Sequence, residues 1–356
     1  SRLEVLLIIP AVIAAALLLT AVHAALFKKE EPRPGAFEKE NVNTARAAEH
    51  LSEAIRIRTV SCEDESQTDW TEFEKFHDFL EKSYPLIAKN LKREKISKAS
   101  LLYEWTGERS DVEPIAFLSH MDVVPVAAGT ESDWTHPAFD GVNDGEFVWG
   151  RGALDMKNHL VCLMESIETL LEEGYRPKRT VYLCFGHNEE IVAGETSGAD
   201  AIMQVLKSRG VRLDSIIDEG GAMLPANIKG ILEGSLAGIG VAEKGYADFR
   251  LTLRAKGGHS SQPPKHTAIG ELAKAVCRLE NHQFKAKMLP FVKNLFKLVG
   301  SQMTYPGRFI LCNHDILRPL ILKAMTLIPP AASLVRTTIG VTMAEGSPAA
   351  NVLPQK

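Results

Sequence analysis

The stretch PIAFLSHMDVVP, Pro114–Pro125, decides the fold: an apolar run from Pro114 to Leu118 leads straight into Ser119 and His120. An apolar run that short, bounded by Pro and polar residues, reads as a strand buried on both faces. The pattern repeats downstream. Leu160–Gly174 spaces its apolar residues as an amphipathic helix closed by Gly174, and Thr180–Phe185 is a second buried strand. Asp200–Gly210 is a helix and Leu213–Ile217 a third strand. Strand–helix–strand order with buried strands predicts an α/β layer with a mostly parallel sheet. Two helices precede it, over Thr44–Ile57 (Ala45, Ala48, Leu51 and Ile55 on one face) and Trp70–Ser83.

The texture changes near Gly238. Tyr246–Ala255 (YADFRLTLRA) alternates apolar and polar residues, which predicts a half-exposed antiparallel strand, and Thr267–Leu279 reads as a helix. A second, smaller domain belongs here, while Phe284–Pro330 is apolar and Pro-marked without a clear element. At the other end, Val5–Phe27 runs 23 residues without Asp, Glu, Lys or Arg. That length suits a transmembrane anchor, and Val22–Ala24 would serve as a cleavage site if the segment were a signal peptide. Lys28–Asn41, charged and aperiodic, reads as a linker. The expected organisation is an anchor or signal segment over 1–27, a linker over 28–43, a catalytic domain over 44–240 and the smaller domain over 241–356. The catalytic part is then held outside the cytosol on a membrane, or secreted if the segment is cleaved.

Bulk composition narrows the function. Hydrophobic residues make up 45% and charged residues 24% of 356, as in a globular protein with a real core. A net charge of −4 gives no basic surplus for nucleic acid. The five cysteines are scattered and include no CxxC pair, which excludes a disulfide framework and a thiolate zinc cluster. Neither GxxxxGK[ST] nor a GxGxxG after a strand is present, so a nucleotide-binding module lacks support.

Four segments place acids and imidazoles at strand ends or in Gly-flanked turns: SHMDVVP (Ser119–Pro125), GRGALDMK (Gly150–Lys157), GHNEE (Gly186–Glu190) and IIDEGG (Ile216–Gly221). In a parallel sheet the carboxyl ends of the strands share the edge where ligands bind. Each segment has a bland reading alone: a structural His, an N-capping Asp155, a solvated Glu pair at a helix start, a turn-capping Asp218. Together they supply imidazole and carboxylates, the donors that divalent metals require.

Their order and context resemble the zinc metallopeptidase family of glutamate carboxypeptidase, aminoacylase and succinyl-diaminopimelate desuccinylase, most nearly its N-fatty-acyl-amino-acid synthase/hydrolase and carboxypeptidase S branch. DWTHPAFDG, GRGALDMKNH and AEKGYADFRL extend the likeness from about Ala48 to the end of the chain. The resemblance implies an α/β catalytic domain with an inserted α+β lid that mediates homodimerisation, and two Zn2+ per subunit, with Co2+ or Mn2+ as substitutes. It implies His120 and Asp218 on the first metal, Asp155 bridging, Glu190 on the second, Asp122 orienting His120, and Glu189 as general base. It also implies that His259 of GGHSS stabilises the oxyanion of a neighbouring subunit and that Asn351 of NVLP contacts the substrate carboxylate. The expected reaction is hydrolysis of an amide in small peptides or N-acyl-amino acids. The alternatives are reversible synthesis and hydrolysis of N-fatty-acyl amino acids, or a membrane-anchored pseudoenzyme that binds metal or a partner without turnover. Two departures stand out: Met156 occupies an often acidic position, and the family's last metal-binding His is expected to be missing from this chain, His314 not lying in its context.

Overall fold

The structure, a computed structural model, describes residues 2–27, 42–191, 197–227, 229–232 and 234–355. The expected linker lies outside the described residues apart from Val42 and Asn43. The chain divides into two compact units, residues 36–220 and residues 221–356 with the N-terminal helix.

The N-terminal helix α1 spans Arg2–Leu26, with side chains described from Pro10. Among the described residues no helix is long and apolar enough to cross a membrane.

The unit 36–220 begins with helices α2 (Thr44–Arg56), α3 (Trp70–Ser83) and α4 (Pro85–Asn90). Asn43 and Asp69 cap α2 and α3 by accepting from Arg46 N and Thr71 N, which fixes both starts where the apolar spacing begins. Strands β1 (Lys92–Ile96), β2 (Ser100–Trp105) and β3 (Ile115–His120) come next, then the short pair β4 (Val142–Asn143) and β5 (Val148–Trp149). Helix α5 (Lys157–Glu172), strand β6 (Val181–Gly186), helix α6 (Gly198–Ser208) and strand β7 (Ser215–Ile217) complete it.

Five strands form one sheet in the order β1-β2-β6-β3-β7. The expected parallel set is present: β3 pairs in parallel with β6 and with β7. The sheet as a whole is mixed, because β1 and β2 are antiparallel and β2 joins β6 antiparallel. Only Ser97–Ala99 separate β1 from β2, too short a link for a parallel crossover. Alternation then sorts the core. Leu101, Tyr103, Leu183 and Phe185 face one side, against α2, α3 and α5 through Ala54, Phe73, Phe76 and Leu160. Leu102, Tyr182 and Cys184 face the other, against Ile202 and Leu206 of α6. The result is a sheet between two helical layers. Buried Glu168 of α5 accepts from Leu86 N and Ile87 N, both at 2.9 Å, and so satisfies the first turn of α4.

The second unit contains the hairpin β8 (Ala222–Pro225) and β9 (Ser235–Gly238), then β10 (Gly258–His259) and helices α7 (Ala268–Asn281) and α8 (Pro290–Gln302). Helices α9 (Tyr305–Cys312), α10 (Arg318–Thr326) and α11 (Pro329–Val335) and strand β11 (Val352–Leu353) come after them. The strand expected over Tyr246–Ala255 does not form. Residues 239–257 carry no helix or strand, and Tyr246 and Phe249 point into solvent. Alternation makes a strand only beside a hydrogen-bonding neighbour, and among the described residues Ala255 N alone reaches one, Gln355 O at 3.0 Å. The unassigned stretch Phe284–Pro330 is instead helical, around a small core of Val292, Phe296, Ile321 and Val335.

Candidate metal centre

All four motif segments meet at the carboxyl ends of β3, β6 and β7. His120 is the last residue of β3 and almost fully buried. Its Nε2 faces Asp155 Oδ1 at 3.2 Å, Glu189 Oε2 at 3.7 Å and Glu219 Oε2 at 3.8 Å. Two overlapping donor groups result, His120–Asp155–Glu190 and His120–Glu189–Glu219, with the ligand atoms of each within 4.8 Å of one another.

Asp155 reaches this point through a glycine-dependent loop. Gly152 has φ +86°, and a Cβ there would sit 2.9 Å from Val123 Cγ1. Asp155 does not cap the following helix: the N-cap of α5 is Met156, without a side-chain hydrogen bond. The loop is tethered by Lys157, which is fully buried and donates from Nζ to Ala54 O at 2.8 Å and Ile57 O at 2.6 Å. Burial lowers the Lys157 amine to about 7.

Asp122, fully buried, organises the centre from behind. Its carboxylate accepts from Ser61 Oγ at 2.6 Å, Glu189 N at 3.0 Å and Glu190 N at 3.2 Å, and its Oδ1 lies 3.3 Å from His120 Nδ1. The Asp122 main-chain oxygen, 3.0 Å from His120 Nδ1, also holds the ring, so this one residue aims the imidazole while its side chain fixes the backbone that carries both glutamates. Burial alone would raise the Asp122 carboxyl, but the hydrogen bonds from His120, Ser61 and Glu189 hold it below the usual range.

The charges are strongly unbalanced. Burial opposes a charged His120, yet Asp122, Glu189 and Glu219 outweigh it and push the ring up to about 9. Burial, with the neighbouring acids, raises Glu219 to about 7 and also raises Glu189 and Glu190. Five carboxylates around one imidazole repel one another unless a cation joins them, and mixed N/O donors suit zinc, cobalt or manganese. The donor set fits a divalent metal.

Asp218, the residue that the motif favours, is in neither donor group. It accepts from Glu219 N at 2.8 Å and acts on Glu189 and Glu219 by charge. Sequence reasoning missed Glu219, Ser61 and Lys157; the adjacency of two acids in IIDEGG was the available clue to the first. His259 and Asn351 lie together in the second unit, where β10 pairs with β11 and Ser260 N donates to Asn351 O at 3.1 Å. His259 is exposed, with Nδ1 2.8 Å from Ser261 Oγ. His314 is buried in the same unit, its Nδ1 2.8 Å from Leu311 O.

Several known proteins are similar to this chain. A carboxypeptidase S-like 2 protein of Dictyostelium discoideum, named as probable, is 33% identical over 349 residues, covering 96% of this chain and 66% of its own length. An N-fatty-acyl-amino acid synthase/hydrolase of Mus musculus is 36% identical over 312 residues, covering 86% of this chain and 60% of its own. The chain therefore spans about two thirds or less of these relatives. Among solved structures, an M20 family metallo-carboxypeptidase from Sulfolobus solfataricus superposes with a TM-score of 0.51 at 17% identity, over 87% of this chain and 68% of that one, a likeness of fold. Residues 116–308, more than half of the sequence and the span that holds all the proposed metal-site motifs, match one family description, and the chain belongs to that family, peptidase family M20/M25/M40.

Proposed function

We propose that this chain forms the metal site of a hydrolase that cleaves an amide bond in small peptides or N-acyl-amino acids. The convergence of Asp155, Glu189, Glu190 and Glu219 on His120 carries the reading. The family is metal-dependent, and the proposed complement is two zinc ions. His120, Asp155, Glu190 and one of the pair Asp218/Glu219 would hold them, with Asp155 shared. Bound metal supplies a water of depressed pKa and polarises the scissile carbonyl. Glu189, its carboxyl raised by burial and by neighbouring acids, is suited to take a proton from that water and return it to the leaving amine. Asp122 holds His120 in the orientation a ligand needs.

In this reading residues 44–240 are the catalytic domain and 241–356 a lid that dimerises. His259 would meet the oxyanion in a partner subunit and Asn351 the substrate carboxylate. The run of α1 from Val5 onward, free of Asp, Glu, Lys and Arg, supports membrane attachment with the catalytic domain outside the cytosol. The mouse relative's name favours fatty N-acyl amino acids as one substrate set.

Zinc content and amide hydrolysis, measured together on point variants, test the roles. Glu189→Gln is expected to keep its metal and lose turnover ~10²–10⁴-fold, whereas Glu190→Gln loses metal. The opposite pattern would show the two roles exchanged, and a folded wild-type chain that binds no divalent metal would sink the proposal. Comparing Asp218→Asn with Glu219→Gln for metal loss identifies which neighbour is the ligand.

A further inference from the structure

Residues 284–336 hold eight basic side chains and a single acid, Asp315, in a chain whose net charge is −4. That acid is taken: Lys293 Nζ lies 2.5 Å from its carboxylate. Lys285, Lys287, Lys297, Arg318 and Lys323 are exposed, and no ion pair is formed by them among the described residues.

The same helices are apolar on the outside. In α10, Ile321 enters the core with Leu317, Leu322 and Met325 packed against it. Its other side carries Leu320, 68% exposed, and Leu327 comes after it at 77%, with Ile316 and Ile328 at either end. Leu320 and Leu327 stand seven residues apart on one helical face with Lys323 between them. A helix apolar on both sides does not belong in water, and large exposed apolar patches mark interaction sites.

Helix α1 packs against α9 in the same unit. Its Thr20 and Ala24 are buried. Tyr305 Oη donates to Ala21 O at 3.1 Å, Asn313 Nδ2 donates to Thr20 O at 3.1 Å, and His23 Nδ1 meets Asn313 Oδ1 at 3.0 Å. Those contacts staple α1 to α9, while Val12, Ile13, Leu17, Leu18 and Leu19 of α1 remain more than half exposed.

We infer that α8–α11 and α1 together form a docking face for an anionic lipid bilayer. Leu320, Leu327 and the free side of α1 enter the boundary between headgroups and acyl chains, and the unpaired lysines and Arg318 meet the headgroup charges. A second copy of this face would bring basic surplus against basic surplus, which disfavours a dimer through it. The inference is independent of the hydrolase reading and rests on the membrane attachment proposed for α1.

Co-sedimentation of the whole chain with vesicles of phosphatidylcholine alone, and with a phosphatidylserine admixture, tests it. Wild type is expected to bind the anionic vesicles at least tenfold more tightly, with the excess lost at high salt. The double variant Arg318→Glu/Lys323→Glu should lose that tenfold excess. Leu320→Ser/Leu327→Ser should weaken binding to both vesicle types severalfold, and far-UV circular dichroism of both variants should match wild type because all four positions are exposed. Equal binding by wild type and both variants would overturn the inference by showing that α1 acts alone. Equally fatal would be a dimer, seen by sedimentation velocity, that the Leu variant disperses while no form binds vesicles.

Discussion

Replacing Asp122 by Asn removes one charge and changes one atom, in a pocket whose other polar groups all donate. They are Ser61 Oγ, Glu189 N, Glu190 N and, in its protonated state, His120 Nδ1. An amide turned either way sets its NH2 against a main-chain N–H, of Glu189 in one orientation and of Glu190 in the other. Ser61 can rotate to accept; the backbone cannot. The variant therefore loses one charge-assisted hydrogen bond, about 1.5–3 kcal/mol, and orphans a buried donor at about 1–3 kcal/mol. A loss of about 3–5 kcal/mol in a unit of this size lowers the melting temperature by roughly 10 °C. Because the glutamate backbone loses its reference point and the imidazole loses the charge beside it, while keeping the main-chain oxygen of residue 122, zinc affinity should fall about 10–100-fold. Thermal melting of the metal-free chain and a zinc titration against a competing chelator measure the two effects. A variant that melts within about 2 °C of wild type and binds zinc within about twofold would refute the assignment of Asp122 as organiser.

Lys157→Met should cost only about 1–2 kcal/mol, because Ala54 O and Ile57 O each keep a second donor, Ile57 N and Thr59 N. Zinc retention should fall more than stability does, as the loop carrying Asp155 is released; equal small effects on both would show that Lys157 is only a packing residue. Glu94, gripped at both oxygens by Arg209 at 2.9 and 2.7 Å, is held down to about 2. A depressed carboxyl contributes stability that is present above its ordinary value of 4.5 and is lost as pH falls through about 2. Glu94→Gln should flatten that part of the pH–stability curve by less than about 1 kcal/mol, the pair being partly exposed; an unchanged slope would show that the pair contributes nothing.

The sequence foretold the elements whose apolar spacing closes locally. Helix α3 starts and stops where the pattern and the capping Asp69 place it, and β3, β6 and β7 arise from short apolar runs. Strands β1 and β2 escaped notice for opposite reasons. β1, KREKI, is an edge strand whose charges conceal its periodicity, and β2, SLLYEW, is buried almost throughout and shows no alternation. Tyr246–Ala255 failed the other way, since alternation states what a strand needs and does not supply the neighbour. At the metal centre the motifs gave His120, Asp155, Glu189 and Glu190 their neighbourhood. Nothing in the chain near residue 61 points to Asp122, and the reach of Lys157 to Ala54 spans 103 positions. Between Asp218 and Glu219 spacing cannot choose, because both come after the strand in a Gly-flanked turn whose course sets which carboxylate turns inward.

The two margins of the sheet are unlike. On one side β1 presents alternating lysine, arginine and glutamate, a border that repels any approaching strand. On the other, β7 is three residues long, and its Ile216 and Ile217 are about half exposed. Among the described residues β7 is the margin less guarded by charge, and a strand pairing with it would run past the turn that carries Asp218 and Glu219. Self-association and site geometry are then linked: a foreign strand captured at that margin, as in an aggregate, would disturb the acids before it touched the core. Loss of metal would precede loss of fold.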